Sequence, residues 1–177
     1  MKITKFFHLA TCLFFIAVVT SCSHKTVPAA SKSSPANNNT TVEPGNNAPD
    51  LANLQEDILA NINQYRQSIG LSPLQLLNSA SAQATKHSTN MANKRIPFGH
   101  TGFEARAAAI SKSLGSTVSA AAENVAVGQL TAKQVVAGWL HSPGHKKNIT
   151  GNFTYTGIGY AVDPGGIIYF TQIFIKQ

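Results

Sequence analysis

Two apolar segments separated by Asp163-Pro164-Gly165-Gly166 constrain this chain most. "YTGIGYAV" (155–162) and "IIYFTQIFI" (167–175) flank a turn built from proline and glycine. The second segment is rich in β-branched and aromatic residues, the composition of a buried central strand. A sheet therefore sits at the centre of the fold, and the remaining elements must cover it.

Those elements are legible as helices. Leu51, Leu54, Ile58, Ile62, Tyr65 and Ile69 recur at three- and four-residue steps, which marks one helix face. Asp50 is placed to cap that helix and Gly70 to end it. "LSPLQL" reads as a link. Ser79 to Asn93 reads as a second helix with Ala80, Ala84, His87 and Met91 near one face. "RIPFGHTGF" breaks it, and a short helix follows from Glu104 to Leu114. "AENVAVG" reads as a short strand. Thr131 caps a helix through Leu140, with Val135, Val136 and Trp139 inward, and Pro143-Gly144 then turns the chain sharply. The plan is α+β, with helices around a small, mostly antiparallel sheet.

The N-terminal third is different. "MKITKFF" is a basic opening and "LATCLFFIAVV" an apolar run too short to span a bilayer comfortably. Val19-Thr20-Ser21-Cys22 resembles a bacterial lipobox. That resemblance implies a signal peptide over 1–21, cleavage before Cys22 and a diacylglyceryl thioether on its sulfur. The chain has two cysteines, Cys12 and Cys22. Cys12 leaves with the signal and Cys22 is lipidated, so neither a thiol nucleophile nor a disulfide scaffold is expected. Residues 22–49 are Ser-, Asn-, Pro- and Thr-rich and read as a disordered tether, because they bury too little apolar surface to offset the cost of ordering. The domain proper is 50–177. The expected location is the cell envelope, lipid-anchored and extracytoplasmic, with the membrane as partner through Cys22. Ser23 in place of aspartate suggests the outer membrane in a cell with two.

The formal charge of +7 falls to about +5 when Lys2 and Lys5 leave with the signal. The basic residues are scattered, so no nucleic-acid stripe is visible and no nucleic-acid partner is expected.

Three ionisable residues stand out at junctions of elements and loops, namely His100, Glu123 and His145. About twenty residues separate each from the next, so only a fold can unite them. The segments "INQYRQSIGLSPL", "ATKHSTNMANKRIPFGH", "AENVAVG", "VVAGWLHSPGHKKNI", "GIGY" and "YFTQIF" occur in the order seen in the CAP superfamily of cysteine-rich secretory, antigen 5 and pathogenesis-related proteins. On these motifs the chain resembles a bacterial member of that family over about Leu54 to Phe174. The resemblance implies an α-β-α sandwich with a cleft holding two histidines and two acids. By motif, His100 and His145 match the histidines, and Glu123 matches the glutamate of a "GEN" motif, although alanine precedes it here. The fourth member, an acid, has no counterpart, and Ser142 stands near its place. Sterol or lipid binding, secreted signalling and proteolysis are linked to relatives in other kingdoms; none carries over residue by residue.

Two histidines and a carboxylate admit three kinds of chemistry. They can hold zinc or another divalent cation through His100 and His145 with Glu123 nearby, act as an acid/base pair, or form a polar binding floor. The leading expectation is a cleft that binds a lipid, peptide or cell-wall ligand. The alternatives are a metal- or His-dependent hydrolase of peptide or cell-wall substrates, and a non-catalytic interaction module near the wall. No "GxSxG" or "HExxH" occurs. His87 is expected to pack or hydrogen-bond, and His141 to point outward. Glu104 and Arg106 read as a solvated face, with an ion pair orienting the His100 loop as the other option. Asn148 is suited to holding the His145 loop, Lys146 and Lys147 face solvent, and Tyr169 and Thr171 share a sheet face.

Overall fold

A computed structural model describes residues 51–177. The signal segment 1–21, Cys22 with the tether 22–49, and the Asp50 cap lie outside the described residues. In chain order the elements are α1 (Leu54–Ser68), β1 (Gln75–Leu76), α2 (Asn78–Ala92), α3 (Phe103–Leu114), β2 (Ala120–Val127), α4 (Ala132–His141), α5 (Pro143–Ile149), β3 (Tyr155–Val162) and β4 (Ile168–Lys176). The strands form one sheet in the order β1-β3-β4-β2. β4 runs antiparallel to both neighbours, and β1 pairs parallel to β3.

β4 is buried on both faces, which explains its unbroken apolar run. Ile168, Phe170 and Phe174 pack with Leu54, Ile58 and Ile62 of α1 and Val135, Val136 and Trp139 of α4. Ile173 and Ile175 point the other way, onto Ala80 and Ala84 of α2 and Ile110 of α3. The result is an α-β-α sandwich. Each large side chain removed from water in these layers contributes roughly 1.5–3 kcal/mol. The α2 layer lies unusually close to the sheet. A Cβ at Gly157 or Gly159 of β3 would stand 2.2 Å and 2.1 Å from α2 backbone atoms.

Local chemistry accounts for several boundaries. Thr131 and Gln134 form a reciprocal capping box at the start of α4. Between β3 and β4, the Asp163 carboxylate accepts from the Gly165 and Ile167 N–H groups, both at 2.9 Å. Three details differ from expectation. α1 begins at Leu54, with Asn53 rather than an earlier residue at the cap position. "LSPLQL" contains β1, whose two residues are too few to show a period. Pro143-Gly144 does not make a turn that leads into a loop. Pro143 opens α5, where its fixed φ suits the first helical position and its missing N–H leaves no bond unmade.

Candidate functional site

β2 is an edge strand, and its alternation sends neighbouring residues to opposite layers. Glu123 pairs in register with Ile173, which pairs with Gly157, so its side chain faces α2 and α3. Asn124, one residue on, faces α5.

The Glu123 side chain is 2 % exposed and is held from two sides. Arg106 of α3 donates from Nε to Oε2 at 2.9 Å and from Nη2 to Oε1 at 2.8 Å. This is the bidentate geometry that makes arginine–carboxylate pairs strong. Its Nη1 also donates to the Thr101 carbonyl at 2.8 Å, tying the pair to the loop that carries His100. His100 Nδ1 lies 2.9 Å from Glu123 Oε1. The carboxylate only accepts, so Nδ1 carries the hydrogen and donates it. That leaves Nε2 as the free ring atom, on a side chain 53 % exposed. His87 of α2 completes the surround. Its ring is 1 % exposed, its Nε2 bonds the Gly99 carbonyl at 2.8 Å, and the same atom is 3.9 Å from Glu123 Oε1. Burial is the main cause holding His87 below the ordinary histidine range.

His145 approaches from the other layer. Asn148 Nδ2 donates to the Glu123 carbonyl at 3.1 Å and to Asn124 Oδ1 at 2.9 Å, and Asn124 Nδ2 donates to the His145 carbonyl at 3.2 Å. These bonds dock α5 against the outer edge of β2. Trp139 adds an Nε1–H bond to the Val125 carbonyl at 3.2 Å. The half-buried His145 ring is held below the ordinary range, first by desolvation and then by the charge of neighbouring His100.

The structure thus places His100 directly on Glu123, with His145 near enough to feel the charge of His100. Among the described residues, no hydrogen bond joins the His145 side chain to the Glu123 carboxylate. Asn148 holds the His145 segment as its amide suggested, while Lys146, Lys147 and His141 are exposed. Glu104 is exposed as well. Arg106 is not on a solvated face. It is buried, and it is the principal partner of Glu123. The signal was its four-residue spacing to the inward Ile110 in an alanine-rich helix, where a lone arginine on the buried face must have a buried partner.

This arrangement bears on metal binding. Both Glu123 oxygens are taken by a guanidinium, and that cation opposes a second one at the same carboxylate. A divalent ion would have two imidazoles and no carboxylate, short of the three protein ligands usual for catalytic zinc. Among the described residues, no group of three or more His, Cys, Asp or Glu side chains is arranged to hold a metal.

Residues 59–174 match the family model described as CAP, cysteine-rich secretory protein family. An uncharacterized protein of Bacillus subtilis (strain 168), YkwD, is 39 % identical over 116 residues, 65 % of this chain and 44 % of its own length. An uncharacterized membrane protein of the same organism, YlbC, is 42 % identical over 57 residues, covering 32 % of this chain and 15 % of its own. The chain therefore spans less than half the length of either relative. Among solved structures, an outer surface protein of Borrelia burgdorferi aligns with TM-score 0.60 and 21 % identity, over 72 % of this chain and 96 % of its own. An extracellular protein of Bacillus anthracis containing an SCP domain aligns with TM-score 0.58 and 24 % identity, over 70 % of this chain and 40 % of its own. Both structural likenesses are likenesses of fold.

Proposed function

The chain belongs to the cysteine-rich secretory protein family, and from that premise we propose that it works outside the cytoplasm and binds a ligand at His100 and His145. Lipid on Cys22 holds it to the cell envelope. The observation that carries the binding reading is the 2.9 Å bond from His100 Nδ1 to Glu123, made by a carboxylate that Arg106 has already fixed. A buried ion pair that orients an exposed imidazole pre-organises one acceptor nitrogen, Nε2, towards solvent. His145 adds a second ring that burial keeps neutral near pH 7. Ligands offering hydroxyl or amide hydrogens, such as peptide or cell-wall fragments, suit such a pair. The names of the structural relatives, one extracellular and one an outer surface protein, support the location. Among the described residues, no helix is long and apolar enough to cross a membrane.

The test is a binding screen of peptidoglycan fragments, peptides and lipids against the wild-type chain, His100→Ala and His145→Ala. We expect a ligand whose binding is lost in both variants while their melting temperatures stay near wild type. Retained binding in both variants sinks the reading. Zinc added to the same samples asks whether two imidazoles suffice for a cation. Release of product from a bound fragment would turn the binding site into a hydrolase.

A further inference from the structure

Between α2 and α3 lies a cleft of about 370 Å³, lined by Gln83, Lys86, His87, Asn90, Thr101 and Arg106 among others. His100, Glu123 and His145 do not line it. Lys86 and Arg106 are cations, Arg106 being already bonded to Glu123 and to loop carbonyls, Gln83, Asn90 and Thr101 can each donate as well as accept, and among the described residues no acid lines the cleft. A cationic lining without acids among the described residues favours an anion over a cation.

The second observation is His87, which is 1 % exposed. Its Nε2 faces the Gly99 carbonyl, which can only accept, so Nε2 carries the hydrogen. The other ring nitrogen, Nδ1, is then a lone-pair acceptor, and among the described residues it has no hydrogen-bond partner. A buried acceptor without a partner is costly, commonly about 1–3 kcal/mol, and this one belongs to a residue that lines the cleft. A ligand that supplies an N–H or O–H there recovers the missing bond.

The charges set the valence. Arg106 is balanced by Glu123 and His87 is neutral, so Lys86 leaves one positive charge uncompensated. A singly charged anion closes the balance, whereas a dianion would overshoot it.

We propose that the cleft between α2 and α3 is a second binding site, for a small carboxylate carrying a neighbouring N–H donor, as at the acylated C-terminal residue of a peptide. Lys86, at the exposed rim, meets the carboxylate. The donor is directed to His87 Nδ1, and the amides of Gln83 and Asn90 hold the remaining polar atoms.

The probe is N-acetylglycine, titrated into the full chain and followed by NMR of the His87 ring and the backbone of residues 83–90. Saturable shifts are expected at these positions. N-acetylglycinamide, which keeps the donor but lacks the charge, should bind at least about tenfold more weakly. Lys86→Glu, a surface change that leaves the core untouched, should weaken the acid by a similar factor, with melting unchanged. Inorganic phosphate should bind less well than the acid. The proposal is overturned by the absence of saturable shifts, by equal binding of acid and amide, by wild-type affinity in Lys86→Glu, by tighter binding of phosphate, or by shifts confined to His100 and His145.

Discussion

Residue by residue, the centre of this molecule is an ion pair with histidines around it, and its behaviour follows from who is buried. Removing Arg106 leaves the Glu123 carboxylate in a buried place without its cation. Breaking one side of such a pair typically costs about 3–5 kcal/mol. Arg106→Met should therefore lower stability to urea by that order, whereas Glu104→Ala, about half a turn earlier but exposed, should change little. The histidines set a pH dependence. His87 and His145 are both held below the ordinary histidine range, chiefly by desolvation. The unfolded chain then takes up protons at a pH where the folded chain does not, so stability is flat above the unfolded value of about 6.5 and falls as pH drops below it. Urea midpoints should decline from pH 7 to pH 5, and His145→Asn should reduce the slope. An unchanged slope in that variant would show that His145 is not desolvated in solution. At this scale the sequence revealed the site only in part. His100, Glu123 and His145 are readable from the family motifs that carry them rather than from their junction positions, since Glu123 lies within β2 and His145 within α5. Arg106 reads in the sequence as part of a solvated face and Asn124 carries no signal of its own, because their roles depend on which helix lies over which strand face, and a strand's period does not carry that information.

The elements were the more legible level. The periods of α1 and α2, the capping box of α4 and the apolar run of β4 all appear where local chemistry puts them. What the pattern did not carry is contact at a distance. Arg66 is such a case. It lies on the buried face of α1, and its guanidinium donates to the carbonyls of Ser72 at 2.9 Å, Ile149 at 2.7 Å and Gly151 at 3.0 Å. Three carbonyls from two segments far apart in the chain cannot be inferred from one arginine in a helical stretch. The glycines of β3 are another. "TGIGY" reads locally as a weakened strand, yet its glycines admit α2 to the sheet surface. At Gly159 an added methyl would meet the backbone of Thr85 and Ala84 at 2.1–2.5 Å, and backbone cannot move aside as a flexible side chain can. Gly159→Ala should cost roughly 1–3 kcal/mol or more through displacement of α2. Gly144→Ala, with open space around it, should cost far less. Thermal melts of the two variants make the comparison directly.

For the molecule as a whole, the basic opening, apolar run and Cys22 lead to a cellular prediction. A Cys22→Ala chain expressed in a bacterial host should move from the membrane fraction to the soluble one, while wild type stays with membranes and shifts to the detergent phase on phase separation. Wild-type protein found soluble and without lipid would refute the anchor. A different consequence follows from the adjacency of Glu123 and Asn124 on β2. One side chain grips the α2–α3 layer by charge and the next grips the α5 layer by amide bonds. Sliding this border strand by a single position would exchange their destinations, stranding a negative charge among amides and setting a neutral group before a guanidinium. Misaligned assembly is thus penalised electrostatically from both flanks at once, and the feature that aims His100 also acts as a proofreading device for the chain's own folding.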